Sequence, residues 1–165
     1  MASADHPVIL TYHSISEGDS PLKISSALFA EQMAWLTANA SVIALDQLVG
    51  QRTGQIDRRN VILTFDDGYA DFYTHAAPVL LRLKLPAIVF LPTAYVGRTN
   101  GWPGQPGWVK EEPLMTWDQI KELANAGMEF GSHTVNHPDV TQLAPADLER
   151  ELAESKREIE QRTGR

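Results

Sequence analysis

The sequence has no cysteine among its 165 residues. That excludes a disulfide framework, a thiolate metal site and a cysteine nucleophile, and it leaves the redox compartment undetermined. Basic residues are few as well: 14 Lys and Arg stand against 21 Asp and Glu, a net charge of −7. This balance argues against a nucleic-acid partner, because neutralising phosphates needs a basic face. Long apolar runs are also missing. None approaches the ~18–20 residues of a membrane span. The start, Met1 to Pro7, has no basic n-region, and Val8–Leu10 is too short for the apolar core of a signal peptide.

What is present is enough apolar material for a packed core, 43 % of residues. A chain of this size buries roughly 68–70 % of its unfolded surface, which predicts one domain over residues 1–165. Short apolar runs alternate with longer periodic stretches. Strands are expected at Val8–Tyr12, Val42–Ala44, Val61–Phe65, Ala87–Leu91 and Met128–Ser132. Helices are expected at Ser25–Asn39, capped by Ser25 or Ser26, with Leu28, Met33, Trp35 and Leu36 on its apolar face. Others are expected at Asp46–Val49 and at Asp71–Lys84, where Pro78 is tolerable only near a start or a kink.

Thr116 and Gln119 make a capping box for a helix that Gly127 terminates. Pro145–Thr163 reads as a charged amphipathic helix with Leu148, Leu152 and Ile159 on one face, stopped by Gly164. Gly50–Arg59 reads as a loop. Pro92–Pro113, with four prolines and four glycines, reads as a long irregular excursion of the kind usually tied to function. Strands separated by helices imply parallel pairing through crossovers, so the class is α/β, either a barrel or a doubly wound sheet.

Three of these strands end in polar residues: Tyr12-His13, Phe65-Asp66-Asp67-Gly68 and Ser132-His133. In a parallel sheet the C-terminal strand ends share one rim, so these residues can converge although far apart in sequence. Asp66-Asp67-Gly68 taken alone reads equally well as a turn with a helix cap. Directly after a buried strand, however, two adjacent carboxylates repel, and a cation would offset that cost. His133 and His137 stand four apart across Thr134-Val135-Asn136. The zinc-protease pattern is not met, since Thr134 occupies the position of its glutamate, and Pro138 places His137 in a turn. One Asp with two His leaves coordination positions open for water and substrate, as in catalytic metal sites.

Thr64-Phe65-Asp66-Asp67-Gly68 and Ser132-His133-Thr134-Val135-Asn136-His137-Pro138 together resemble the first two motifs of the polysaccharide deacetylase family, the NodB-homology domain of carbohydrate esterase family 4. Val8-Ile9-Leu10-Thr11-Tyr12-His13-Ser14-Ile15 and Phe29-Ala30-Glu31-Gln32-Met33-Ala34-Trp35-Leu36 resemble its circularly permuted poly-β-1,6-N-acetylglucosamine deacetylase branch. The resemblance implies Asp66 as catalytic base, His13 as general acid, and Asp67, His133 and His137 as ligands of a divalent metal. Zinc suits this set, with cobalt, nickel and iron also compatible by ligand type.

The resemblance further implies removal of N-acetyl groups from an N-acetylglucosamine polysaccharide outside the cytoplasm, in the periplasm, at the cell surface or secreted. Peptidoglycan, chitin and xylan remain open as substrates, and so does a catalytically silent carbohydrate-binding fragment. Tyr69, Trp102 and Trp108 are candidates for a sugar groove, with ordinary packing as the alternative for each. A third motif, an aromatic-Pro strand end, does not follow the last helix. The implied fold is therefore a partial distorted (β/α) barrel, truncated at its C-terminal side, whose five strands cannot close and leave an exposed edge.

Overall fold

The computed structural model describes residues 7–50 and 60–164, so most of the loop expected over Gly50–Arg59 lies outside the described residues. In chain order the elements are β1 (Val8–Tyr12), β2 (Ser14–Ile15), β3 (Lys23–Ile24), α1 (Ser26–Asn39), β4 (Ser41–Val42), α2 (Leu45–Gly50), β5 (Asn60–Phe65), α3 (Ala77–Leu83), β6 (Ile88–Leu91), α4 (Trp117–Asn125), β7 (Glu129–Ser132) and α5 (Pro145–Thr163). Strands β1, β4, β5, β6 and β7 form one parallel sheet, and β2 pairs separately with β3.

β5 is the centre of this sheet because every position of Val61–Phe65 is buried. β1 runs beside it from Val8↔Val61 to Tyr12↔Phe65, while β6 pairs with its end at Thr64↔Ile88 and Phe65↔Val89. β7 continues beside β6 up to Leu91↔Ser132. The two-residue side-chain period of a strand then divides the faces. Val61, Leu63 and Phe65 join Phe29 and Met33 of α1, Leu80 of α3, Ile120 of α4 and Ile159 of α5 in one apolar layer. Tyr12, Phe29, Phe65 and Phe72 meet there ring to ring at 4.7–5.9 Å.

On the opposite face Thr64 donates its hydroxyl to Thr11 at 2.9 Å, and neighbouring Ile9 is 51 % exposed. Helical cover on one face, with polar and open positions on the other, is barrel architecture rather than a doubly wound sheet. Among the described residues β1 and β7 are the unpaired edges, as five strands require.

Several boundaries differ from expectation for local reasons. The α1 stripe is Phe29, Met33 and Leu36, while Leu28 and Trp35 are exposed, Trp35 by 61 %. Leu28 and Trp35 are seven apart and share the outer flank, so apolar character on α1 does not map to burial. Pro78 sits at the start of α3, and the turn before it, Phe72–Ala76, widens into a π-helix in which the Ala77 N–H bonds the Phe72 carbonyl. A proline ring inside a regular helix would clash there and remove a donor. β4 is Ser41–Val42 and stops short of Ala44: the Ile43 N–H makes its last bond to β5, at the Val61 carbonyl, and α2 begins at Leu45. The buried positions of α5 are Glu151, Ser155 and Ile159, and Leu152 faces outward. The Thr116–Gln119 capping box forms as predicted.

Candidate active site

The rim holds all five residues singled out from sequence. The turn after β5 is tight: Asp67 and Gly68 both take φ near 70°, and a Cβ on Gly68 would lie 2.5 Å from the Leu91 side chain. Only glycine fits, and its backbone lets the preceding Asp67 turn inward. Asp67 is 5 % exposed, and its Oδ1 is buried without a hydrogen-bond partner. That oxygen faces Nε2 of His137 at 3.3 Å and Nε2 of His133 at 3.5 Å. The three ligand atoms lie within 4.8 Å of one another.

An orphaned carboxylate oxygen between two imidazoles, too far for good hydrogen bonds, leaves a buried acceptor that a cation would satisfy. The donor set therefore fits a divalent metal. Burial pushes the His133 imidazole below its ordinary value despite nearby Asp66 and Asp67, which favours the neutral form that ligation needs. His133 and His137 approach edge to face at 4.9 Å, and Trp102 stacks on His137 at 4.1 Å.

Asp66 stands beside this cluster on the half-open side. Burial raises its carboxyl above the ordinary carboxylate value, an effect that His133 and His13 oppose. His13, from the end of β1, brings Nε2 to 4.0 Å from Asp66 Oδ2. Register explains the approach: the Asp66 N–H bonds the Tyr12 carbonyl, and His133 N–H bonds the Leu91 carbonyl, so sheet pairing continues into the rim.

Sequence reasoning missed the residues that hold this rim. Asp71 accepts from the buried Ser14 hydroxyl at 2.5 Å and from the Ile15 N–H at 3.0 Å, while His75 Nδ1 donates to the Ile15 carbonyl at 2.7 Å. Together they anchor the chain immediately after His13. Asn100, fully buried, ties the long excursion together: its amide donates to Tyr69 and to the Lys110 carbonyl, and its Oδ1 accepts from the Glu112 N–H. The excursion is irregular as expected, and backbone bonds such as Asn100 N–H to the Glu112 carbonyl and Leu114 N–H to the Arg98 carbonyl close it together with this side chain. Tyr69 and Trp102 pack into a small core with Leu114, while Trp108 is 59 % exposed. Trp108 borders a groove with Glu17, Lys23, Tyr69 and Glu112.

A cluster of this kind at the C-terminal strand ends of a parallel sheet lies where functional sites are normally built. The polysaccharide deacetylase profile matches residues 53–165, and the chain belongs to that family. YxkH of Bacillus subtilis is 32 % identical over 152 residues, covering 90 % of this chain and 50 % of YxkH. The poly-β-1,6-N-acetyl-D-glucosamine N-deacetylase of Escherichia coli is 29 % identical over 145 residues, covering 78 % of this chain and 20 % of that protein. The chain thus spans half or less of the curated relatives it matches. Among solved structures, the Streptococcus pyogenes deacetylase PplD in complex with acetate superposes with a TM-score of 0.77 at 26 % identity, covering 96 % of this chain and 69 % of that one. IcaB from Ammonifex degensii gives 0.73 at 28 % identity, covering 98 % and 71 %. The fold is a partial distorted (β/α) barrel of the NodB type.

Proposed function

We propose that this chain carries the catalytic rim of a metal-dependent N-deacetylase acting on an N-acetylglucosamine polysaccharide. The observation behind this reading is the buried, unpartnered Asp67 Oδ1 facing two imidazole nitrogens. Asp67, His133 and His137 would hold the metal. A bound divalent ion supplies a water of lowered pKa and polarises the acetyl carbonyl, worth on the order of 10 kcal/mol of easier ionisation.

The remaining chemistry belongs to the side chains. Asp66 accepts the proton that the attacking water loses, and its raised pKa suits a base that must later release that proton. His13, 4.0 Å away, delivers a proton to the departing amine nitrogen. One C–N bond breaks, one C–O bond forms, and the products are acetate and a free amine. Each proton transfer is worth about 10²–10⁴ in rate, roughly 3–5 kcal/mol.

Poly-β-1,6-N-acetylglucosamine is the favoured substrate because relatives carrying that name match 67–78 % of this chain. A polymer of this kind goes with action outside the cytoplasm. No helix among the described residues is long and apolar enough to cross a membrane. Acetate release from β-1,6-linked N-acetylglucosamine oligomers, with chitin oligomers and acetylated xylan in parallel, tests the reading. Release that a chelator abolishes and zinc restores is expected, and Asp66→Asn should bind zinc yet release no acetate. Full zinc loading without release from any acetylated glycan would leave a carbohydrate-binding role instead.

A further inference from the structure

Between the two histidines the backbone adopts two left-handed residues, Thr134 at φ 69° and His137 at φ 53°. L side chains resist this region, a β-branched threonine most of all, so the loop keeps its shape only where its surroundings impose it. Part of the constraint is local, since the Thr134 hydroxyl accepts the His137 N–H at 2.9 Å. The Thr93 and Ala94 N–H groups bond the Thr134 and Val135 carbonyls. The charged group that completes the constraint comes from another element. Glu151 projects from the inward face of α5, 8 % exposed. Its Oε2 accepts both the Val135 and the Asn136 N–H groups at 2.8 Å, and its Oε1 accepts the Asn136 amide at 2.7 Å.

Two successive N–H groups converging on one oxygen form a nest, which the backbone offers only in a turned conformation. The carboxylate therefore selects the loop shape that brings both imidazoles to Asp67. We propose that Glu151 is a positioning residue for the metal site: it touches neither substrate nor ion, and it fixes the His133–His137 loop through Val135 and Asn136. The inference rests on the reading of Asp67, His133 and His137 as metal ligands.

Zinc affinity of the whole chain, read by competition with a chromophoric chelator, tests this apart from catalysis. Glu151→Leu keeps the side chain's bulk and should weaken zinc about 10–100-fold, the usual cost of removing a group that orients ligands. Asn136→Ala removes one of the three bonds and should weaken it several-fold. Glu151→Gln should stay near wild type. Its carbonyl oxygen can keep the two backbone bonds, and Asn136 can turn its amide to accept from the new NH₂ group.

Ile159→Val trims an apolar anchor of the same helix without touching the loop and should leave zinc affinity unchanged while lowering stability. The proposal falls if Glu151→Leu and Asn136→Ala, both folded, bind zinc like wild type. It also falls if Ile159→Val weakens zinc as much as Glu151→Leu. Should Glu151→Leu not fold, the contrast of Asn136→Ala with Ile159→Val decides. A wild-type chain that takes up no zinc would instead remove the metal reading itself, so the two failures are distinct.

Discussion

The two histidine-bearing stretches of the rim are held by the same device in different ways. After His13, both oxygens of Asp71 grip Ser14 and Ile15, and between His133 and His137, both oxygens of Glu151 grip Val135 and Asn136. Asp71, however, lies on the segment that leaves the Asp66-Asp67-Gly68 turn, so the proposed base and the brace of the proposed acid belong to one stretch of chain. Glu151 belongs to α5, which reaches the loop by packing on β7, α4 and the Thr93–Tyr95 turn. The proposed proton transfer is therefore a local construction around β1 and β5, whereas the proposed metal binding depends on separate elements meeting.

The sharpest way to break this division is to remove one histidine from each side. His137→Ala takes away a proposed ligand and the ring that Trp102 stacks on, and it should abolish both zinc uptake and acetate release. His13→Ala should leave zinc uptake intact and cut turnover about 10²–10⁴-fold, the range of a lost general acid. Metal content by atomic absorption beside acetate release reads both. Loss of zinc in His13→Ala would show that the two sides are not separate.

Asp71→Ala probes the same division more gently. It strands the Ile15 N–H and leaves the buried Ser14 hydroxyl with Ser16 alone, a cost of about 1–3 kcal/mol in unfolding free energy. Turnover should fall with unchanged zinc affinity, the reverse of Glu151→Leu, which should weaken zinc. Denaturant unfolding and chelator competition on the same preparations would show whether the two braces act on different halves of the reaction. Equal loss of zinc in both variants would merge them into one network.

The five rim residues were legible because strand ends in a parallel sheet must share a rim, which needs only β1, β5 and β7 to be recognised. The braces were not, for opposite reasons. Asp71 reads as a helix start until Ser14 and Ile15, 56–57 positions earlier, are seen beside it. Glu151 left a signal that was overlooked: with Ser155 and Ile159 it makes a stripe spaced four apart, so a charge occupied the inward face of an amphipathic helix. Buried charges are rare without partners, and such a position marks a group bound to something. On α1 the error ran the other way, since Trp35 and Leu28 are apolar and still face outward. Hydrophobicity gives a helix its period only when one face is polar, and α1 has little polar contrast.

The smallest expected effect is the pH dependence of the Glu151 brace. Burial alone would raise the Glu151 carboxyl, but the hydrogen bonds from Asn136 and Val135 outweigh it and hold the group below its ordinary value of 4.5. A carboxyl lowered on folding stabilises the fold above its unfolded value, and that stabilisation fades as pH falls through the folded value. Glu151→Gln keeps the loop bonds without the titration. Measured without zinc, the stability advantage of wild type over Glu151→Gln should therefore shrink as pH drops from 7 to below 4.5, other groups cancelling in the difference. A gap constant across that range would mean that folding leaves the proton affinity of Glu151 unchanged, and a gap that widens as pH falls would mean that Glu151 holds the loop as a neutral acid.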